Sequence, residues 1–170
     1  DTLKLAGSNG TLTVLNQFNL TSGVFADDGK TVEIRGDMTL SGRHIGSGKL
    51  QLTTATSRTI SGSGSGSITN MDVSGPASAV TVTLNTALEV RGTLAFITNG
   101  TNNRIFNIGS SALTLTATGA IAGANSSAPV HMIRTAGFAS DGGLRKVYNG
   151  LSFTFPVGTG TLYTPATIAL

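Results

Sequence analysis

In the stretch TVEIRGDMTLSGRHIGSGKLQLTTATSRTISGSGSGSITNMDV (residues 31–73), short runs alternate apolar and polar residues and are separated by turns rich in glycine and serine. Such alternation is typical of half-buried β-strands. Val32, Leu50 and Ile68 follow one another at equal intervals, each shortly after a turn. The interval matches one coil of a β-solenoid, in which each coil buries its apolar face only by stacking on its neighbours.

The same alternation of apolar and polar residues continues on the C-terminal side of this stretch. The further alternating runs are AVTVTL (79–84), LEV (88–90), TLAFI (93–97), RIFNI (104–108) and ALTLTAT (112–118). Leu94 and Leu113 are separated by nearly the same interval. We therefore predict parallel strands over residues 30–127. The side chains predicted to point inward are Val32, Leu50, Ile68, Leu94, Leu113 and Leu115.

Two architectures can bury such strands, a sandwich of antiparallel hairpins and a parallel β-helix. Asn-Gly and Asp-Gly dipeptides, which favour two-residue hairpin turns, occur at five places, but most turns are Gly-Ser instead. This favours a right-handed parallel β-helix. The repeat is imperfect, since the step from Ile68 to Val82 is clearly shorter than the others, so the sandwich remains the alternative.

The composition is that of an all-β chain with little charge. Only 11 % of the residues are charged, against about 25 % in ordinary globular proteins. The chain has 26 Thr, 17 Ser and 23 Gly, residues that favour sheets and turns. No stretch of ten or more residues has both good helix formers and helical apolar spacing.

The same composition argues against several classes of function. Cysteine is absent, so the sequence offers no disulfide, thiolate zinc site or cysteine nucleophile. The net charge is +3, but the 11 Lys and Arg are scattered, which argues against a nucleic-acid partner. The longest apolar runs are far shorter than the roughly 18 residues of a membrane helix, so we expect no membrane insertion.

The composition changes near residues 127–129, where Gly-Ser turns become fewer and charged residues more frequent. We therefore divide the chain into a β-helix at 1–127 and a C-terminal β-strand module at 128–170. Within this module, residues 151–157 and 162–169 are predicted to pair as a hairpin around Gly158-Thr159-Gly160. The strands that complete the module are expected beyond residue 170 or on another chain. The residues predicted to form its interaction edge are Phe153, Phe155, Leu162, Tyr163 and Ile168.

Several phrases of the sequence resemble the β-helical repeat regions of very large, adhesin-like secreted proteins of the Bacteroidetes. The phrases are TISGSGSGSITNMDVSG (59–75), AVTVTLNTALEVRGTLAF (79–96), RIFNIGSSALTLTATGAIAG (104–123), GGLRKVYNG (142–150) and FTFPVGTGTLYTPATI (153–168). They occur in the family's order over most of the chain, although Ile68 stands where the family usually has an aromatic residue. The resemblance implies a non-catalytic surface or matrix protein, exported by type IX secretion, that serves adhesion or builds extracellular structure.

Catalytic and metal-binding patterns are weak in this sequence. Asp27-Asp28-Gly29 contains the only adjacent acid pair, which makes Asp27 and Asp28 the calcium candidates. We predict no catalytic residues and no other cofactor, because no dense acidic row or histidine-centred cluster is visible. His44, in a turn bounded by glycines, is predicted to be solvated, and His131, on a strand, to be packed.

The sequence thus predicts a non-enzymatic structural or adhesive module of a secreted or cell-surface protein. It would act as a rigid spacer or as a building block of an extracellular matrix or filament. Its expected partners are other copies or neighbouring domains, joined by strand addition, together with surface glycans. The alternative is a carbohydrate-binding or carbohydrate-cleaving β-helix.

Overall fold

The computed structural model describes residues 1–7, 10–76, 78–98, 100–150, 152–160 and 162–169, and no helix occurs among them. The described strands, in chain order, are β1 (Thr2–Lys4), β2 (Thr11–Val14), β3 (Phe18–Leu20), β4 (Val24–Ala26), β5 (Thr31–Ile34), β6 (Met38–Leu40), β7 (Arg43–Ile45), β8 (Lys49–Thr53), β9 (Arg58–Ser61), β10 (Gly66–Ile68), β11 (Met71–Ser74), β12 (Val80–Leu84), β13 (Leu88–Val90), β14 (Thr93–Phe96), β15 (Arg104–Gly109), β16 (Ala112–Leu115), β17 (Ala120–Ala122), β18 (His131–Thr135), β19 (Gly143–Lys146), β20 (Phe153–Phe155), β21 (Val157–Thr159), β22 (Leu162–Tyr163) and β23 (Ala166–Ile168).

Three successive strands form one coil, and corresponding strands of neighbouring coils pair in parallel. Sheet A contains one strand from each of seven coils, in the order β1-β4-β7-β10-β13-β16-β19. Sheet B has the order β2-β5-β8-β11-β14-β17, and sheet C begins β3-β6-β9-β12-β15-β18-β21. We number the coils 1 to 7 from the N-terminus, so that coil 1 is β1 to β3. The prediction of an all-β parallel β-helix is confirmed, and the antiparallel sandwich is wrong.

The interior of the stack is filled by apolar side chains from all three sheets. All six residues predicted to point inward are fully buried, which confirms them: Val32, Leu50, Ile68, Leu94, Leu113 and Leu115. The two-residue period explains this result, because in each strand the polar neighbours of these residues face outward.

The equal spacing of these residues reflects the stacking only in part. Val32 lies opposite Leu50, as the spacing predicts. Leu50, however, lies opposite Met71 in sheet B, whereas Ile68 belongs to sheet A and lies opposite Val90. The error arises because all three sheets share the same alternation, so the spacing does not distinguish a stacked neighbour from a residue on the next face.

The interval from Leu94 to Leu113 also does not join stacked residues, because the coil that begins after Leu94 is longer than those before it. Leu94 lies opposite Ile121, well beyond Leu113 along the chain. Leu113 itself lies opposite Leu88, in another sheet. The extra residues are distributed along the coil: β15 and β16 are longer than β12 and β13, and the segments before β15 and β17 are longer than those before β12 and β14. Turn length therefore varies from coil to coil while the strands stay paired.

Parallel pairing continues beyond residue 127, where the sequence pattern predicts the end of the β-helix. Strand β18 pairs with β15, β19 pairs with β16, and β21 pairs with β18, all in parallel. The change in composition near residue 128 therefore falls within coil 6, and parallel stacking continues on both sides of it.

The C-terminal hairpin is confirmed, although its turn lies later than predicted. Strands β20 and β23 pair antiparallel, and so do β21 and β22. Gly158 and Thr159 belong to β21, and the reversal begins at Gly160, which has the positive φ of 58° expected of a turn glycine. Leu151, the predicted start of the first strand, lies outside the described residues. The hairpin rests on the solenoid because β21 also pairs with β18.

Leu115→Ala is expected to lower the free energy of unfolding by about 2–5 kcal/mol, since a fully buried leucine leaves a cavity when truncated. Chemical denaturation monitored by circular dichroism measures this loss. The matched control is Leu12→Ala, because Leu12 points inward but is 41 % exposed, and its loss should stay below about 1.5 kcal/mol. Equal losses for the two variants would contradict the assignment of the core.

Candidate functional site

The large apolar side chains that reach solvent are confined to the two ends of the stack. Among the described residues, the strongly exposed ones are Leu3, Leu12 and Leu15 in coil 1, and Phe138, Val147, Leu162 and Ile168 at the C-terminal end. The described parts of coils 2 to 5 expose no large apolar side chain. Exposed apolar side chains grouped in one part of a structure can mark a site of association, so we take the two ends as the candidate interaction surfaces.

The N-terminal end is open to solvent. Leu3 lies opposite the buried Phe25 yet is 66 % exposed, and Leu12 lies opposite the fully buried Val32. Both leucines hold inward positions that no described part of the chain covers. Strands β1, β2 and β3 are the edge strands of their sheets at this end, so three rows of backbone N–H and C=O groups also face solvent.

The C-terminal end is closed by Lys146. This lysine continues the inward row of sheet A, where it lies opposite the buried Leu115. Its Nζ donates hydrogen bonds of 2.7, 2.7 and 2.8 Å to the carbonyl oxygens of Thr116, Ala117 and Gly119. Burial lowers the pKa of this ammonium group. A cation held by three backbone carbonyls therefore ends the apolar interior on this side.

The five predicted edge residues occupy two different environments. Phe153 and Phe155 are half-buried and meet edge to face, with ring centroids 4.9 Å apart. Leu162 and Ile168, on the returning strands, are 69 % and 45 % exposed, whereas Tyr163 is half-buried. Leu162 and Ile168 therefore contribute most of the apolar surface of this edge.

The two calcium candidates have separate partners. Asp27 is fully buried, and its Oδ1 accepts hydrogen bonds of 2.8 and 3.0 Å from the N–H groups of Gly29 and Gly48. Asp28 faces outward, and its carboxylate lies 3.1 Å from the Lys4 ammonium and 3.6 Å from that of Lys30. The hydrogen bond from Lys4 lowers the pKa of Asp28. A cation at Asp28 would compete with two lysines.

His44 is fully buried, so the prediction that it is solvated is wrong. Its Nδ1 accepts the N–H of Thr69 at 3.4 Å, which places the ring proton on Nε2. Nε2 donates to Asp27 Oδ2 at 2.8 Å, and the ring stacks on Phe25. Burial lowers the pKa of His44, against the opposing charge of Asp27. Asp27, His44 and Thr69 belong to coils 2, 3 and 4, and we name this group the first clasp.

Arg104 forms a second buried cluster, which the sequence analysis missed. Its side chain is fully buried, and it donates to carbonyl oxygens of the turn between β11 and β12. The bonds join Nη1 to Ser78 at 2.7 Å and Nη2 to Gly75 at 3.0 Å and Pro76 at 3.2 Å. A signal was available, because the alternation that points Phe106 inward also points Arg104 inward.

His131 completes the second cluster and is packed, as predicted. Its Nδ1 accepts the N–H of Arg104 at 3.2 Å, and Nε2 lies 3.3 Å from Thr98 Oγ1. The ring stacks on Phe96, with centroids 6.2 Å apart. Burial and then the charge of Arg104 lower the pKa of His131. Together, Arg104, His131 and the turn carbonyls link coils 4, 5 and 6, and we name this group the second clasp.

The outer face of sheet B carries a hydrogen-bonded polar row. Thr53 donates to Glu33 at 2.6 Å, and Lys49 Nζ lies 2.6 Å from an oxygen of Asp72. The hydrogen bonds from Thr53 and then Arg35 lower the pKa of Glu33. A general acid needs a raised pKa, so Glu33 is poorly suited to that role.

These features define a parallel β-solenoid with an apolar interior, an open N-terminal end and a C-terminal end closed by a lysine. No protein family, curated protein or solved structure matches the chain. The part of the chain that the structure describes contains no helix long and apolar enough to cross a membrane.

Proposed function

We propose that this chain is a non-catalytic structural or adhesive module of a secreted or cell-surface protein. It acts as a rigid spacer or as a building block of an extracellular matrix or filament, and it joins its neighbours through its ends. The observation that supports this proposal is the confinement of exposed apolar side chains to the first coil and the C-terminal end.

The physical basis is the contrast between the sides and the ends of the stack. Along the sides, neighbouring coils satisfy each other's backbone groups, and the outward side chains are largely polar. At an end, strand edges and apolar side chains are exposed together, which favours strand addition by a neighbour. Contacts made at the ends extend the rod along its axis, as a spacer or filament requires.

The extracellular location rests on the sequence. The repeat phrases resemble those of secreted adhesin-like proteins, and the chain has no cysteine and few charged residues. Neighbouring domains and other copies are the proposed partners at the ends.

Charge placed at either end is expected to reduce association. We would compare Leu3→Lys with Leu12→Lys at the N-terminal end, and Leu162→Lys with Ile168→Lys at the C-terminal end, by sedimentation and electron microscopy. The matched control is Ala55→Lys, because Ala55 is exposed on the side of the stack. At least one end pair should weaken association tenfold or more while the control does not. A protein that is monomeric at all concentrations, or whose association responds only to Ala55→Lys, would overturn the proposal.

A carbohydrate-binding surface is the second candidate, and the polar row on sheet B favours it. Glu33 and Asp72 are held in fixed positions by Thr53 and Lys49, and fixed polar groups of this kind can bond sugar hydroxyls. Titration with neutral and uronic acid oligosaccharides, using Asp72→Asn as the test variant, decides this candidate. Binding that survives Asp72→Asn unchanged, or no binding at all, would exclude the row. Release of shortened sugars would instead show that the chain is an enzyme.

A further inference from the structure

A groove of about 330 Å³ lies on the outer face of sheet A, at coils 4 to 6. Its floor contains a column of stacked polar side chains, in which Ser67 lies opposite Glu89 and Glu89 lies opposite Thr114. The turns before β10 and β13 border the groove with small residues, among them Gly64 and Ala87. These small residues leave room above the column for a ligand.

Ser67 supplies the groove with a polar group that no described residue satisfies. The residue is only 5 % exposed, and its hydroxyl lines the groove without a hydrogen bond to any described part of the chain. A hydroxyl in so confined a position gains more from a ligand than one that water already solvates. Thr114, two coils further on, has a hydroxyl that is likewise unbonded within the described chain.

An exposed arginine stands on each side of this column. Arg43 lies opposite Ser67, and Arg145 lies opposite Thr114. Neither arginine forms an ion pair with a described residue, so both charges can act on a ligand. Four coil steps separate the two positions, which is about 19 Å at about 4.8 Å for each step. A chain laid along the column would meet a cation at each end and hydroxyl groups between them.

The acidic residue of the column is already neutralised. Glu89 Oε1 lies 2.7 Å from Arg91 Nε, and both side chains line the groove. The column and Arg91 together contain three arginines and one glutamate, so this part of sheet A is positive. A negatively charged ligand is therefore complementary to it.

We infer that this groove binds an acidic glycan, a polysaccharide whose sugar units carry carboxylate groups. Arginine bonds a carboxylate through two parallel N–H groups. The hydroxyls of Ser67 and Thr114 both donate to and accept from sugar hydroxyls. One coil rises by about 4.8 Å, close to the length of one sugar unit in an extended glycan, so successive units meet successive coils. The site lies on the side of the stack, apart from its ends and from the polar row of sheet B, so it does not depend on end-to-end association.

A peptide strand and a single-stranded nucleic acid fit this face less well. The strands that carry the groove, β10, β13 and β16, are each paired on both sides, so they offer no edge for strand addition. No aromatic side chain is found among the described residues of its lining, whereas bases bind by stacking on such rings. A glycan needs neither feature.

Calorimetric titration of the whole chain with a short oligogalacturonate tests this inference. We expect the dissociation constant to rise at least tenfold in the double variant Arg43→Gln/Arg145→Gln. Ser67→Ala should raise it at least threefold and leave the melting temperature unchanged, because the hydroxyl bonds no described residue of the fold. A lower melting temperature with unchanged binding would show that Ser67 is only structural and would overturn the inference.

The matched control is Arg35→Gln/Arg134→Gln, which removes the same charge outside sheet A. Equal weakening by the two double variants would show non-specific attraction and overturn the site. Sensitivity to Asp72→Asn alone would place the glycan on sheet B and overturn it as well. So would equally tight binding of a neutral oligosaccharide of the same length or of polyglutamate, or no binding at all. Each of these outcomes leaves association through the ends untouched.

Discussion

Arg104→Ala is expected to lower the free energy of unfolding by roughly 2–5 kcal/mol, because a large buried side chain and its hydrogen bonds are lost together. The guanidinium group is fully buried and bonds carbonyl oxygens of Ser78, Gly75 and Pro76 in the preceding coil. Truncation leaves a cavity and removes the hydrogen bonds that join this turn to coil 5. A hydrogen bond to a charged group contributes about 1.5–3 kcal/mol.

Two further variants separate the causes. Arg104→Met keeps most of the side-chain volume and removes the donors, so it should retain only the part of the loss that comes from hydrogen bonding. Arg58→Met is the control. Arg58 is the first residue of β9, as Arg104 is the first residue of β15, but it lies two coils away and is only half-buried. Urea denaturation measures all three variants. A loss for Arg104→Ala no greater than that for Arg58→Met would show that the second clasp does not stabilise the fold.

Acidification below pH 6.5 is expected to destabilise the protein by up to about 1.4 kcal/mol per pH unit for each buried histidine. Burial lowers the pKa of His44 and of His131 from the ordinary value of 6.5. Below pH 6.5 the unfolded chain therefore binds more protons than the folded one, so stability falls as the pH falls. The loss ends at the folded-state pKa of each ring.

The geometry gives the same direction independently of burial. In both rings Nδ1 accepts a backbone N–H, from Thr69 in the first clasp and from Arg104 in the second. Protonation of Nδ1 would point a new ring N–H at the backbone N–H that this nitrogen accepts in the neutral ring, and the hydrogen bond would be lost. The facing ionisable groups are Asp27 at His44 and Arg104 at His131, and their charges act in opposite directions.

The pH slope of stability distinguishes this effect from a purely structural one. Unfolding would be measured from neutral to mildly acidic pH for the native chain, His44→Gln and His131→Gln. The slope is proportional to the number of protons that the chain takes up on unfolding. Glutamine retains hydrogen-bonding groups and does not titrate, so each variant should reduce that number by up to one. A slope unchanged by both substitutions, or imidazoles that titrate at their ordinary pKa in nuclear magnetic resonance spectra of the folded chain, would contradict the prediction.

Residue alternation predicted the interior of this protein well but not the stacking of its coils. Val32 and Leu115 are buried because a two-residue period fixes which side chains face the core. The period does not assign a strand to a sheet, which is why Ile68 was matched with Leu50 and not with Val90. Stacking depends on turn lengths, and these vary without a clear signature in the sequence.

The buried polar clusters were hidden for a different reason. Arg104 and His44 are charged or titratable residues beside turns, where single residues of this kind usually face solvent. Their burial depends on carbonyl, carboxylate and N–H groups supplied by other coils, such as the carboxylate of Asp27 at His44. Partners that far apart in sequence become visible only once the register of the coils is known. The hairpin at the C-terminus was easier, because its turn and both strands are local in sequence.

The two clasps also determine how the rod resists a pulling force. A force applied between its two ends acts on the backbone hydrogen bonds that join neighbouring coils. A stack held by these bonds alone separates one coil at a time, because each coil contacts only its neighbours. The first clasp bridges coils 2 to 4, and the second bridges coils 4 to 6. A cluster that spans three coils shares the load among them, so those coils yield together. Mechanical resistance is therefore concentrated in the middle of the rod, and coils 1 and 7, which neither clasp reaches, separate at lower force than coils 2 to 6.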